Sequence, residues 1–248
     1  IIENTRIESI EPNLAVVTFD NNEGIDSIIN GVTIEGGPWG IRCENSSPSI
    51  IRCNISNNEI GIVCLNSAPQ IMRNKISYNG NGQGAGIVVD SYMPPMISGN
   101  MIYKNDNGIM YLNSASGGTV FNNTLAYNYS IDSNNTGTGI YVDPNAADPN
   151  IVKCVLWANE MDLIGCQAAY SCLTDPNLID PNSTNISEDP LFQSIEEDAY
   201  YLSSESPCLY AFSEVAVLMS VGLEGDMIVC AGAASTSILY VTGQENGV

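Results

Sequence analysis

The chain has 248 residues, with seven Lys or Arg against 28 Asp or Glu and no His, giving a formal charge of −21. A surface of that sign repels a phosphate backbone, which argues against nucleic acid as a partner. No run of about 18 apolar residues is present to span a bilayer, since the longest candidate, Val215 to Gly232, is broken by Glu224 and Asp226.

The chain opens in apolar, β-prone sequence (Ile1-Ile2, then Ile7 and Ile10), and Ile1-Ile2-Glu3-Asn4 reads as the start of a mature or truncated product. From residue 29 one phrase returns six times, as Ile29-Val32-Ile34, Ile50-Cys53-Ile55, Ile71-Asn74-Ile76, Ile97-Asn100-Ile102, Val120-Asn123-Leu125 and Ile151-Cys154-Leu156. Three residues after each copy comes Gly37, then Asn58, Asn79, Asn105, Asn128 and Asn159. A Gly-Ile step follows in the first five copies, at Gly40, Gly61, Gly86, Gly108 and Gly139, so the spacings are 21, 25, 22 and 31 residues. Periods of that size mark solenoid coils.

Short alternating stretches such as Cys53-Asn54-Ile55-Ser56 read as strands, and no repeat holds an amphipathic run long enough for a crossover helix. The expected fold is all-β, a right-handed parallel β-helix of roughly eight or nine coils. Residues 1–210 form its repeats, and 211–248 a capping or strand-donating segment of the same domain. In that geometry Asn58, Asn79, Asn105, Asn128 and Asn159, with Asn74, Asn100 and Asn123, are expected to form structural ladders in which each amide bonds its neighbour in the next coil.

Repeat length varies mainly at one corner: coil three carries extra residues from Gly80 to Ala85 and coil five from Tyr129 to Thr138. Insertions on one edge of a solenoid often line its binding face. The second loop carries Asp132, Asn134, Asn135 and Thr136, while Asp90 and Asp143 recur four residues past Gly86 and Gly139. Asp132 and Asn134 are candidates for glycan contact, and Asp90, Asp132 and Asp143 for calcium, which takes oxygen ligands of this type. The same residues are equally consistent with plain polar loops. Alternation turns Tyr103 and Trp157 outward on one column, two coils apart, as an aromatic platform for a sugar or a protein interface.

Eight cysteines suit an oxidising compartment, and with no His or CxxC pair zinc is not favoured. Cys43 and Cys64 fall at the same place in adjacent coils, Cys166 and Cys172 are close in sequence, and Cys208 with Cys230 spans the C-terminal segment. All six are disulfide candidates, Cys43 and Cys64 being equally readable as small core residues.

Late in the chain Cys154-Val155-Leu156-Trp157-Ala158-Asn159 is followed by Asp189-Pro190-Leu191-Phe192, Tyr200-Tyr201-Leu202 and Ser206-Pro207-Cys208. This order, with the repeats, resembles the secreted right-handed β-helix proteins of the pectate-lyase-like superfamily over residues 15 to 210, and its ending is similar to that of bacterial surface β-helix proteins. The pattern departs at Leu209-Tyr210-Ala211-Phe212. The resemblance implies secretion. Lyases of that group use calcium-binding carboxylates and a basic residue, and Arg52, Arg73 and Lys75 form the one basic cluster here, but no facing group of acids emerges from the register. The hydrolases of that group pair Asp residues with a His, which this chain lacks. No catalytic residue is assigned, and one fold hosts many activities. The expected function is an extracellular structural or cell-surface protein that assembles with itself end to end, because an uncapped coil is a template for strand addition. The alternative is a glycan-binding or lyase-like protein, with calcium as the one cofactor in view.

Overall fold

The computed structural model describes residues 5–9, 11–82, 84–113, 115–132, 136–179 and 184–211. Asn134, Cys230 and the apolar stretches 216–219, 227–230 and 237–241 lie outside the described residues.

Each turn of the chain contributes one short strand to each of three parallel sheets. The first turn does so with Arg6–Glu8, Val17–Phe19 and Ile28–Asn30. The first sheet then runs through eight strands to Cys172–Leu173, the second through seven to Met161–Ile164, and the third through seven to Ala168–Ala169. The fold is therefore an all-β parallel solenoid of seven turns, with an eighth strand in one sheet. The described α-helical residues are confined to Pro207–Ala211.

Register explains the repeated apolar positions. In the first sheet Ile7, Ile34, Ile55, Ile76, Ile102, Leu125, Leu156 and Leu173 are successive partners. In the third, Ile29, Ile50, Ile71, Ile97, Val120, Ile151 and Ala168 follow one another. The central coils bury these side chains completely, and with the second-sheet column from Ile41 to Leu163 they form one core along the axis. At about 4.8 Å per coil, each branched side chain packs on its equivalents above and below.

The bends are as regular as the strands. Asn57, Tyr78, Lys104, Tyr127 and Ala158, each just before a ladder Asn, have φ of 55°, 55°, 51°, 53° and 54°. One left-handed residue turns the backbone so that the following side chain points inward. Asn58 then donates its backbone N–H and side-chain Nδ2 to Asn79 Oδ1, both at 3.1 Å. Asn79 does the same to Asn105, Asn105 to Asn128 and Asn128 to Asn159. An amide both donates and accepts, so one Asn per coil passes the bond along the axis. The column begins where the Gly37 N–H donates to Asn58 Oδ1, and it closes where Asn159 Nδ2 donates to Asp162 Oδ1 at 2.9 Å.

A second ladder runs at the corner entering the first sheet, from the Cys53 N–H through Asn74, Asn100 and Asn123. Asn123 meets the Cys154 sulfur at 4.0 Å, and the Cys154 N–H continues to Ser171. A third, shorter ladder links Ser46, Ser67 and Ser91 at the remaining corner. The Gly-Ile step has its own steric cause: a Cβ on Gly108 would lie 2.4 Å from the carbonyl oxygen of Gly139 in the next coil.

After Leu173 the repeat stops. Ile186 bridges to Cys172, and Ile179, following a 3-10 turn at Pro176–Leu178, packs on the end of the core. An antiparallel hairpin of Phe192–Ser194 and Ala199–Leu202 folds back onto the outer face of the first sheet.

Candidate functional site

The loops of coils three and five meet. Ser130 donates its hydroxyl to the Gly82 carbonyl at 2.9 Å across the corner. Both loops are anchored by coil four, which has no insertion. Asp106, 5% exposed, accepts from the Gly82 and Gly84 N–H groups at 2.5 and 3.1 Å. Asn107 beside it donates Nδ2 to the Gly84 carbonyl at 3.0 Å and accepts from the Thr138 N–H at 3.1 Å. One buried Asp-Asn step thus ties down the end of the first loop and the end of the second. Glu160 accepts from the Gly137 N–H at 2.7 Å.

Between the loops lies an open recess of about 560 Å³ lined by Glu59, Ile60, Asn81, Gly82, Gly84, Ile131 and Asp132. Two carboxylates, an amide and backbone surround the apolar surface of Ile60 and Ile131. This set accepts hydrogen bonds from hydroxyls and offers a CH face, while it repels anions. Of the glycan candidates, Asp132 lines this recess. Glu59, Asp106 and Asn107 were missed by the sequence reading; the signal was the Asn105-Asp106-Asn107 triplet in a short coil flanked by two long ones.

The aromatic column has a different fate. Tyr103 and Trp157 do share an outward position, on either side of Ala126. Tyr103 is nevertheless buried, 1% exposed, because the returning hairpin lays Tyr200 over it with ring centroids 4.7 Å apart. Trp157 packs beside Val155, Cys172, Leu202 and Cys208. The expectation of an open platform at Tyr103 is corrected by this cover.

The cover is latched at its edge. Lys104 Nζ contacts Asp198 Oδ1 at 2.6 Å and donates to the Tyr78 hydroxyl at 3.0 Å; that hydroxyl donates to Asp198 Oδ2 at 2.6 Å. Burial works against the Asp198 carboxylate, but the bonds from Lys104 and Tyr78 outweigh it and hold its pKa below the usual range. The bond to Asp198, with that to Tyr78, raises the pKa of Lys104. Lys75 of the basic cluster lies over the Tyr103 ring at 5.3 Å. Burial, then the charge of Arg52, lowers the Arg73 pKa.

The three calcium candidates are not brought together. Asp90 ends the second-sheet strand Ala85–Asp90 and Asp143 follows Thr138–Val142 two coils away, roughly 10 Å by strand spacing, whereas Asp132 sits in the loop before that sheet. Asn113 Nδ2 donates to Asp90, and Asn145 donates its N–H and Nδ2 to Asp143. Among the described residues, no group of three Cys, Asp or Glu converges as metal ligands.

None of the seven described cysteines is joined to another in this structure, and the pair Cys208 with Cys230 reaches outside the described residues. Cys43 and Cys64 are in-register partners on parallel strands. Such partners project side by side at about the 4.8 Å strand spacing, wider than the usual Cβ separation across a disulfide. Burial pushes the Cys43 thiol up to about 12, and both belong to the core. Cys166 packs against the inner core, while Cys172 faces the outer side of the first sheet, so the two are separated by the wall of the solenoid.

The family model described as "Right handed beta helix region" matches residues 15–185. No curated protein and no solved structure matches the chain. With most of its length covered by that one model, and with three parallel sheets wound in register, this chain belongs to the right-handed β-helix family.

Proposed function

We propose that this β-helix is an extracellular, cell-surface protein whose rigid solenoid displays a recess for a neutral glycan. The observation that carries this reading is the convergence of the only two long insertions in the repeat series on one corner, fixed by Asp106 and Asn107 and enclosing Glu59, Asn81 and Asp132. Oxygen acceptors beside Ile60 and Ile131 suit the hydroxyls and CH face of a sugar, and a charge of −21 disfavours uronate chains. The test is a glycan array followed by titration of any hit with the protein and with the Glu59→Gln/Asp132→Asn double variant. Binding to neutral glycans that weakens tenfold or more in the variant is expected; an array without neutral-glycan binding overturns the reading.

A second reading, end-to-end self-assembly, is favoured by the first turn, where Leu14, Ile25 and Ile28 are exposed. Light scattering over a concentration series tests it. A rising mass that Ile28→Lys abolishes is the expected result, and a constant monomer mass removes this reading.

A further inference from the structure

We propose that Cys172 and Cys208 form a disulfide that locks the return segment onto the last coil. Cys172 lies in the final strand of the first sheet, Cys172–Leu173, and Cys208 at the start of the short helix Pro207–Ala211. Both are fully buried, and both belong to one packed cluster with Val155 and Leu202, flanked by Trp157, Ile186, Phe192 and Leu209. The Cys172 thiol also approaches the Glu188 carbonyl at 3.2 Å, and the Cys208 N–H donates to Ser206 Oγ at 3.2 Å, so both backbones are fixed around the sulfurs. Unlike Cys43 and Cys64, these residues come from unrelated directions, a strand and a helix, and are not forced to project in parallel.

Within this cluster the neighbouring Cys208 thiol, followed by burial, drives the Cys172 pKa far up. The docked thiol is therefore a poor nucleophile, and oxidation belongs to the stage before the segment docks, or to its transient opening. One thiol, as thiolate, attacks the disulfide of an oxidised dithiol or small-molecule disulfide and releases one thiol of the oxidant. The second thiolate then displaces the other, leaving the intramolecular bond and the reduced oxidant. Two protons and two electrons leave the protein. The bond closes a loop over residues 173–207, which constrains the unfolded segment.

The full chain, refolded in a glutathione redox buffer, is alkylated under denaturing conditions and mapped without reductant. The chain has no Lys or Arg after Lys153, so proteases specific for Glu and for aromatic residues are needed; cleavage after Tyr170 separates Cys166 from Cys172. The expected product is one cross-linked pair, Cys172 with Cys208. Alkylation of both as free thiols overturns the proposal, as does a cross-link of either to Cys166 or Cys230. In melting curves, reduction should lower the midpoint for the return segment by roughly 5–15 °C. Cys208→Ser should melt like the reduced protein and lose all response to reductant. Mapping uses the unmodified chain, so the result stands even if the variant fails to fold. Because oxidation is done in vitro, it is also independent of where the protein resides.

Discussion

The solenoid and the segment that returns after Leu173 solve the same problem differently. In the solenoid, one type of contact is repeated: Ile on Ile, Asn on Asn, each with its equivalent a coil away. In the return segment every contact is unlike its neighbour, as Tyr200 on Tyr103, Asp198 with Lys104 and Tyr78, and Cys208 beside Cys172. Repetition spreads an interaction along an axis and makes each coil depend on two neighbours. Heterogeneous contacts concentrate binding in a few side chains, so the segment is open to release by a single change while the solenoid stays folded.

The largest effect is expected in the ladder. Asn105→Ala leaves the backbone N–H of Asn79 without its acceptor in a buried column and takes from the Asn79 side-chain amide one of its two, the Ile55 carbonyl remaining, at a cost of about 3–5 kcal/mol in urea denaturation. A loss under 1 kcal/mol contradicts the structural role of the ladder. Tyr200→Ala should cost about 3 kcal/mol, confined to the return segment. Limited proteolysis should then cut within 186–211 while the solenoid resists, and joint loss of both regions would show that the two are one cooperative unit.

A smaller effect separates the two regions by pH. Asp198 has a lowered folded pKa, so its contribution is present above the unfolded value near ~3.9 and is lost as pH falls through the folded one. Lys104 has a raised folded pKa, so its contribution is present below about 10.4 and is lost as pH rises through the folded value. Between these limits the latch is at full strength. Protease susceptibility of 186–211 should rise below pH 4, and in Asp198→Asn the acid-dependent rise should disappear. The smallest effect is Ala158→Gly, which removes a left-handed Ala and should stabilise by about 0.5 kcal/mol after the entropy cost of Gly. Destabilisation instead would mean that the Ala158 side chain is needed at that bend.

What the sequence disclosed follows the same division. Ile55, Ile76 and Ile102 announce a column because they recur at a fixed period, and so do Asn79, Asn105 and Asn128. The corner that carries the insertions was readable from coil lengths, since extra residues have no room inside a stacked core. The cover on Tyr103 was not readable, because its partner Tyr200 lies 97 residues on and outside any repeat. Alternation tells which way Tyr103 points but not what arrives there later. Ser46, Ser67 and Ser91 escaped notice because Ser is common in this chain and the ladder spans three coils. The thiols of Cys172 and Cys208 meet through the same non-repeating return, which spacing along the chain does not encode.

The principal Asn column also has a direction. From Asn58 to Asn128 each side-chain amide gives one N–H to Oδ1 of the Asn in the following coil and turns the other back to a carbonyl of the preceding coil, so the amide-to-amide bonds run in one sense and end where Asn159 donates to Asp162. A buried carboxylate, Asp162, stands at that end, as an anion stands at the N-terminus of an α-helix. At the other end Gly37 supplies an N–H but has no side chain to receive one. The wire is thus terminated at both poles, by a group that only gives and a group that only takes. A further subunit stacked on this rod could join its sheets, but it could not lengthen this current of amides.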